Sequence, residues 1–388
     1  MTERTAGAVV AIDQGTTATK CHRLTPDGHF QTFATVEHRQ IYPHPGWVEH
    51  DPEELLANVR DCLDRSGDAA ALGIANQGET VVAWDAATGR SVHNAIVWQD
   101  ARTRDEIERL KSEGAESLTL ERAGLPLDPY FSASKLRWLI DHAKGAADLL
   151  RRGRLRLGTS DAFFLDRLAG RYVTDVTTAS RTSLMNLATR QWDPDLCALF
   201  GVPIEVLPEI VPTAGELAVV AQGGRDIPLT ASAVDQQAAL FGHGCHRPGQ
   251  AKITFGTGAF ALALVGSSPP RDPGCGLLPT IAWKIGGGAA DYAVDGGVYN
   301  AASAVNWARE LGLFADFDEI DRFAGEAAIA RGLVFVPALS GLACPHWDRR
   351  AAGLWLGLGL ETTRPDLVRA VLEGVALRSA EVLREIGR

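Results

Sequence analysis

The sequence predicts an α/β protein of two related domains, each built on a mixed sheet. Three observations carry that expectation. A strand pattern runs straight into a Gly/Thr turn twice, at Val9-Val10-Ala11-Ile12-Asp13-Gln14-Gly15-Thr16-Thr17 and at Lys252-Ile253-Thr254-Phe255-Gly256-Thr257-Gly258. The order of elements after Gly249 echoes the order after Gly7, without literal repetition. A chain of 388 residues is also longer than one ordinary core sustains.

The first half opens with strands at Ala8–Asp13, Lys20–Leu24 and about His29–Glu37, with Pro26-Asp27-Gly28 as the turn before the third. After the Pro- and Gly-containing segment Tyr42–Glu49, Asp51 caps a helix that has Pro52 at its first position. Three strands and then a helix, rather than strict βαβ alternation, suit a mixed sheet. Further strands are expected at Ala71–Asn76, Thr80–Asp85 and Ala95–Trp98, and helices at Ala101–Ser112, Ser132–Asp141 and Asp161–Leu168. Val173–Ser183, rich in Thr and Ser, reads as a surface excursion. The pattern restarts near Asp235 with a short helix. Strands follow at Ala251–Phe255, Ala259–Val265, Pro279–Trp283 and Tyr292–Asp295, then a helix at Tyr299–Leu311. Arg247-Pro248-Gly249 marks the break between domains 1–245 and 246–388. A final helix, about Pro365–Ile386, has an apolar stripe through Leu367, Val371, Val375 and the Leu377/Ala380 region that nothing downstream covers.

Composition narrows the function classes. A formal net charge of −10, with no basic run, argues against nucleic acid as a partner. Six scattered cysteines without a Cys-x-x-Cys pair suit free thiols in a reduced, cytoplasmic protein. The polar Met1–Gly7 segment has no apolar signal core, and no apolar run approaches the roughly 20 residues of a membrane helix.

The two turns carry the chemistry. Gly lets backbone N–H groups approach a phosphate, and Thr adds a hydroxyl donor. Gly15, Thr16 and Thr17 would meet terminal phosphates, with Lys20 adding charge and Asp13 orienting Mg²⁺ through water. Gly256, Thr257 and Gly258 would hold the β- and γ-phosphates. A plain hairpin turn is the alternative at either site, and the pairing of the two turns favours phosphate. Asp235 is the candidate general base, near the metal as well, and it equally suits the N-cap of the helix Gln236–Gly242. Gln236 would hold a substrate hydroxyl. Glu79 would bind vicinal hydroxyls, and Trp98, Tyr130 and Phe260 would pack on the carbon skeleton, or all three aromatics serve the core. His243-x-x-His246 with Cys245 has no further ligands nearby in sequence and reads as a domain junction.

At these residues the chain resembles the FGGY carbohydrate kinases, most closely their glycerol-phosphorylating branch. Tyr130-Phe131-Ser132 followed by Lys135-Leu136-Arg137-Trp138 is similar to the first family signature. Gly353–Glu373, with Gly357, Asp366, Ala370 and Glu373 in place, is similar to the second. The resemblance implies two actin-like, ribonuclease-H-like domains acting on ATP, Mg²⁺ and a small polyol. It implies phosphorylation of a terminal hydroxyl of glycerol or a close relative. By position it makes Asp235 the base and Asp13 the metal-orienting acid. It assigns Thr17, Lys20 and Thr257 to phosphate, Glu79, Trp98, Tyr130, Asp235, Gln236 and Phe260 to the polyol, and Ala302 and Asn306 to the nucleotide. A homo-oligomer is compatible with it.

Four departures stand out. Gly78 occupies a position where the family has Arg, which removes a fork of donors and leaves another polyol or a pentulose as an alternative substrate. Ala302 replaces a Gly, and Asn306 replaces a Gln. The family also continues beyond the 365–386 helix, so the second domain is expected to be incomplete, its last stripe exposed and ATP binding weak. A non-catalytic polyol-binding remnant is the corresponding alternative, whereas a filament-forming ATPase would leave the polyol residues without a purpose.

Overall fold

The computed structural model describes residues 7–270, 276–323 and 325–387, which leaves Cys275 outside. The chain divides into two compact units. One comprises Met1–Ala238, Ser267–Pro269 and Thr280–Tyr292; the other comprises Ala239–Gly266, Pro270–Pro279 and Ala293–Arg388.

The first unit is organised by a six-stranded mixed sheet in the order Ala214–Gln222, Arg225–Val234, Ala71–Asn76, Val9–Gln14, Ala18–Leu24, Phe30–Glu37. Its three central strands, Arg225–Val234, Ala71–Asn76 and Val9–Gln14, are parallel, and the flanking pairings are antiparallel. Along Val9–Gln14, Val10, Ile12 and Gln14 are buried while Val9, Ala11 and Asp13 face the other side, as a period of two requires. Helices Pro52–Arg65 and Ser160–Ala169 supply Leu55, Leu56, Val59, Phe163 and Phe164 to the core under Val10, Ile12, Leu72 and Ile74. The first of these helices starts as expected: the Asp51 side chain accepts from the Glu53 N–H at 2.9 Å, and Pro52 is its first residue.

Three expectations are corrected. Val173–Ser183 is buried throughout, not a surface excursion. Its polar groups satisfy one another. The Asp175 carboxylate accepts from the Thr177 and Thr178 backbone N–H groups, from both their hydroxyls and from Thr213 Oγ1. Asp161 accepts from Thr159, Thr174 and the Asp175 N–H. A polar run whose carboxylates and hydroxyls are partnered in this way can be buried, and composition alone cannot distinguish it from a solvated one. Secondly, Cys21 and Cys62, expected as thiols, form a disulfide, because strand Ala18–Leu24 packs directly under helix Pro52–Arg65. Cys197, Cys245 and Cys344 are buried.

The third correction lies in the second unit. Its final helix, Arg364–Ile386, starts with a capping box between Thr363 and Asp366. Val371 and Val375 on the apolar stripe are buried in a core with Ala304, Val368 and Phe335, because strand Val334–Val336 and helix Ala302–Glu310 cover them. Leu377 remains exposed. At the other end of this unit, strands Ala251–Phe255 and Ala259–Gly266 pair antiparallel across Gly256-Thr257-Gly258. No described helix is long and apolar enough to cross a membrane.

Candidate active site

The three parallel strands of the first unit end in register: Gln14 lies opposite Asn76, and Asn76 opposite Val234. The segments that leave them are Gly15–Thr17, Gln77–Thr80 and Asp235–Gln236. One sheet edge therefore receives the first Gly/Thr turn, the Glu79 segment and the candidate base. The carboxyl ends of parallel strands are where open α/β sheets bind ligands.

Gly15, Thr16 and Thr17 form the three-residue turn between antiparallel strands, closed by the Gly15 N–H donating to Ala18 O at 3.1 Å. Thr17 and Lys20 are exposed, and Asp13 lies opposite Lys20 in the register. Burial raises the pKa of Asp13, and the nearby Lys20 charge opposes the rise. The turn is braced from below. Thr16 O accepts from Gln40 Nε2 and pairs with His38 Nε2, both at 2.8 Å. Gln40 Oε1 accepts from His50 Nε2 at 2.9 Å, and His50 Nδ1 accepts from Gln77 Nε2 at 3.3 Å. These partners define a neutral His50 with its proton on Nε2. Burial, with His38 beside it, pushes the His50 pKa down to about 3. Gln14 completes the set, donating to Gly15 O at 2.8 Å.

Glu79, Trp98 and Tyr130 come together. Glu79 is 4% exposed and has a left-handed backbone, φ 59°, which a residue with a Cβ holds only under constraint. Its Oε1 accepts from Arg181 Nε at 2.6 Å. The Trp98 and Tyr130 rings meet edge to face at 5.6 Å, and the Trp98 Nε1–H donates to Thr16 Oγ1 at 3.0 Å. Lys135, fully buried, holds the Tyr130 loop by donating to Pro129 O at 2.9 Å and Tyr130 O at 2.7 Å. Arg181 is the residue at this cluster that sequence reasoning missed. A lone guanidinium inside a run of Thr and Ser was the available signal, and it was masked by reading that run as surface.

Asp235 opens helix Asp235–Gly242, and its Oδ1 accepts from the Gln236 N–H at 2.7 Å. The strand end before it is pinned: the Val234 N–H donates to Thr177 Oγ1 at 3.0 Å, and Thr177 Oγ1–H donates to Asp175 Oδ1 at 2.9 Å. Burial and the Asp161 charge push the Asp175 carboxyl up to about 6. Gln236 is half-buried.

Phe260, Gly256–Gly258, Ala302 and Asn306 belong to the second unit. The Gly256 N–H donates to Gly258 O at 2.8 Å, while Ala302 N–H donates to Gly256 O and Ala301 N–H to Thr257 O. The turn thus sits on the first residues of helix Ala302–Glu310, where Ala302 is exposed and Asn306 is half-buried one turn on. Gly258 is required by space, since a Cβ there would lie 2.7 Å from Val298 O. Phe260 packs beside Gly297, where a Cβ would come within 3.1 Å of its ring. Among the described residues no group of three or more His, Cys, Asp or Glu could hold a metal by itself, and His243, Cys245 and His246 make none.

Residues 8–242 match the N-terminal domain of the FGGY family of carbohydrate kinases, and residues 251–388 match its C-terminal domain. Both domains are matched, and the matches do not confirm an incomplete second one. A glycerol kinase of Citrifermentans bemidjiense is 43% identical over 394 residues, covering 97% of this chain and 78% of the relative. A glycerol kinase of Thermus brockianus is 44% identical over 386 residues, covering 96% and 78%. Among solved structures, Plasmodium falciparum glycerol kinase with ADP superposes with a TM-score of 0.87 at 31% identity, over 98% of this chain and 79% of that one. A xylulose kinase from Rhodospirillum rubrum superposes with a TM-score of 0.81 at 27% identity, over 98% and 79%.

Proposed function

We propose, on the premise that the chain belongs to the FGGY family of carbohydrate kinases, that it transfers the terminal phosphoryl group of ATP to a terminal hydroxyl of glycerol. The product is glycerol 3-phosphate. The observation that carries this reading is the bond from Trp98 Nε1 to Thr16 Oγ1, which ties the candidate polyol wall to the candidate phosphate turn.

Phosphoryl transfer asks little covalent chemistry of a protein; positioning and charge neutralisation do most of the work. Glu79, ionised, accepts hydrogen bonds from substrate hydroxyls, and Trp98 and Tyr130 cover the carbon chain. Phe260 and Gln236 complete the polyol contacts. Asp235 takes the proton from the attacking hydroxyl oxygen as that oxygen bonds phosphorus. The turns Gly15–Thr17 and Gly256–Gly258, with Lys20, hold phosphate oxygens, and Ala302 and Asn306 flank the nucleotide. Asp13 and Asp235 are the residues that would hold Mg²⁺, which when bound neutralises phosphate charge. An acid at a strand end beside a Gly/Thr turn, with no dedicated cage among the described residues, fits an ion held chiefly by nucleotide and water.

The test is glycerol-dependent ADP formation by the purified chain, with Asp235→Asn as control. Turnover that falls about 10²–10⁴-fold in the variant supports the assignment, whereas an unaffected rate removes Asp235 from the role. A second reading, a four- or five-carbon polyol or a pentulose as acceptor, is favoured by Gly78, which leaves that position without a guanidinium. A higher kcat/KM on xylulose than on glycerol would establish it.

A further inference from the structure

We propose that Arg181 is a positioning and specificity-determining residue of the polyol site, acting by holding the Glu79 carboxylate ionised and oriented; the inference rests on the polyol-kinase reading above. The Arg181 Nε to Glu79 Oε1 distance is 2.6 Å, and the two side chains are 3% and 5% exposed. Burying such a pair costs desolvation of both charges, which its mutual attraction offsets only when the geometry is good. The return here is orientation. Glu79 sits in a left-handed backbone conformation, and its carbonyl accepts from Ser132 Oγ at 3.1 Å, so its backbone is held as well.

The guanidinium is placed by the same elements that build the pocket. Its Cζ lies 5.8 Å from the Tyr130 ring and 5.6 Å from the Phe131 ring. The Arg181 N–H donates to Thr178 O at 3.0 Å, and the next residue, through Thr182 O, accepts from the Ala133 N–H at 2.9 Å. The Thr/Ser segment is thereby tied to helix Ser132–His142, which follows Tyr130 directly. Gly78 has no side chain, and its Cα faces Val234, where an added Cβ would lie 3.1 Å from Cγ1. The guanidinium that donates to Glu79 comes from Arg181, 102 residues away. In the polyol-kinase reading, the carboxylate held in this way is the group that meets substrate hydroxyls.

The experiment is a double-mutant cycle on steady-state kinetics with Arg181→Gln, Arg181→Lys, Glu79→Gln and Arg181→Gln/Glu79→Gln, with melting temperatures measured alongside. Arg181→Gln is expected to raise KM for glycerol at least about tenfold while KM for MgATP changes less than about twofold. Arg181→Lys, which keeps charge but not the fork, falls between wild type and Gln. The double variant is no worse than the worse single one, because both remove one interaction. Additive effects, or a lower melting temperature with unchanged KM for glycerol, overturn the inference. Wild type silent on glycerol refutes the proposed reaction instead, and the same variants are then scored by calorimetric binding of glycerol, erythritol and xylulose. Affinity that is unchanged in Arg181→Gln overturns the role of Arg181, and a wild type that binds none of the three overturns both readings.

Discussion

Trp98 and Thr16, 82 residues apart, meet through the indole Nε1–H donating to the threonine hydroxyl at 3.0 Å. The bond links the aromatic wall directly to the first Gly/Thr turn. Trp98→Phe keeps an aromatic ring and removes the donor. A lost bond of this type is worth about 1 kcal/mol, so kcat/KM for glycerol should fall about fivefold. If the coupling is real, KM for MgATP rises with it; a change confined to glycerol would separate the two sites.

His50 supplies a pH dependence. Its folded pKa is held near 3, against an ordinary value of 6.5. The folded protein therefore binds fewer protons than the unfolded chain between those values, and stability must fall as pH drops from about 6.5 toward 3. Asp175, pushed up to about 6, acts with the opposite sign, favouring the folded state as pH falls below that value. The difference between wild type and His50→Gln isolates the histidine. Urea unfolding at pH 7.5, 6 and 5 should show the wild type losing its margin over the variant as pH falls.

Gly258 tests the second turn. Alanine would place a Cβ 2.7 Å from Val298 O, and overpacking of this kind costs roughly 1–3 kcal/mol. Gly258→Ala should raise KM for MgATP about tenfold or more and lower the melting temperature, with KM for glycerol little changed. An unchanged nucleotide KM would remove this turn from the phosphate site.

Gly78→Arg is expected not to improve activity on glycerol. The new Cβ would press on Val234 Cγ1 at 3.1 Å, and Val234 immediately precedes Asp235. Combining it with Val234→Ala relieves the contact, and kcat/KM for glycerol should then exceed that of the single Gly78→Arg variant. Equal values would show that steric pressure on Val234 is not what limits the arginine.

Several elements could be read locally. Asp51-Pro52 announced a helix start, and the strand-then-Gly/Thr pattern announced both hairpins, because caps and tight turns depend on neighbours a few residues away. Glu79 and Trp98 could be singled out near strand ends, and Tyr130 just ahead of a helix start. The Val173–Ser183 run could not be read in this way. Whether a hydroxyl-rich stretch meets water or buried carboxylates depends on Asp161 and Thr213, which lie outside it.

The sequence by itself determined the two Gly/Thr turns between strands and the mixed character of the sheets, since these rest on short-range propensity and spacing; the expected chemistry came from the family resemblance. The tertiary structure alone decided that Arg181 faces Glu79, that His50 stays neutral beneath Thr16, that Cys21 reaches Cys62 and that Val371 and Val375 of the last apolar stripe are buried while Leu377 stays exposed. Each of these joins residues distant along the chain. Their meeting is set by sheet order and packing, which minimise buried unpaired polar groups across the whole domain rather than within any local window.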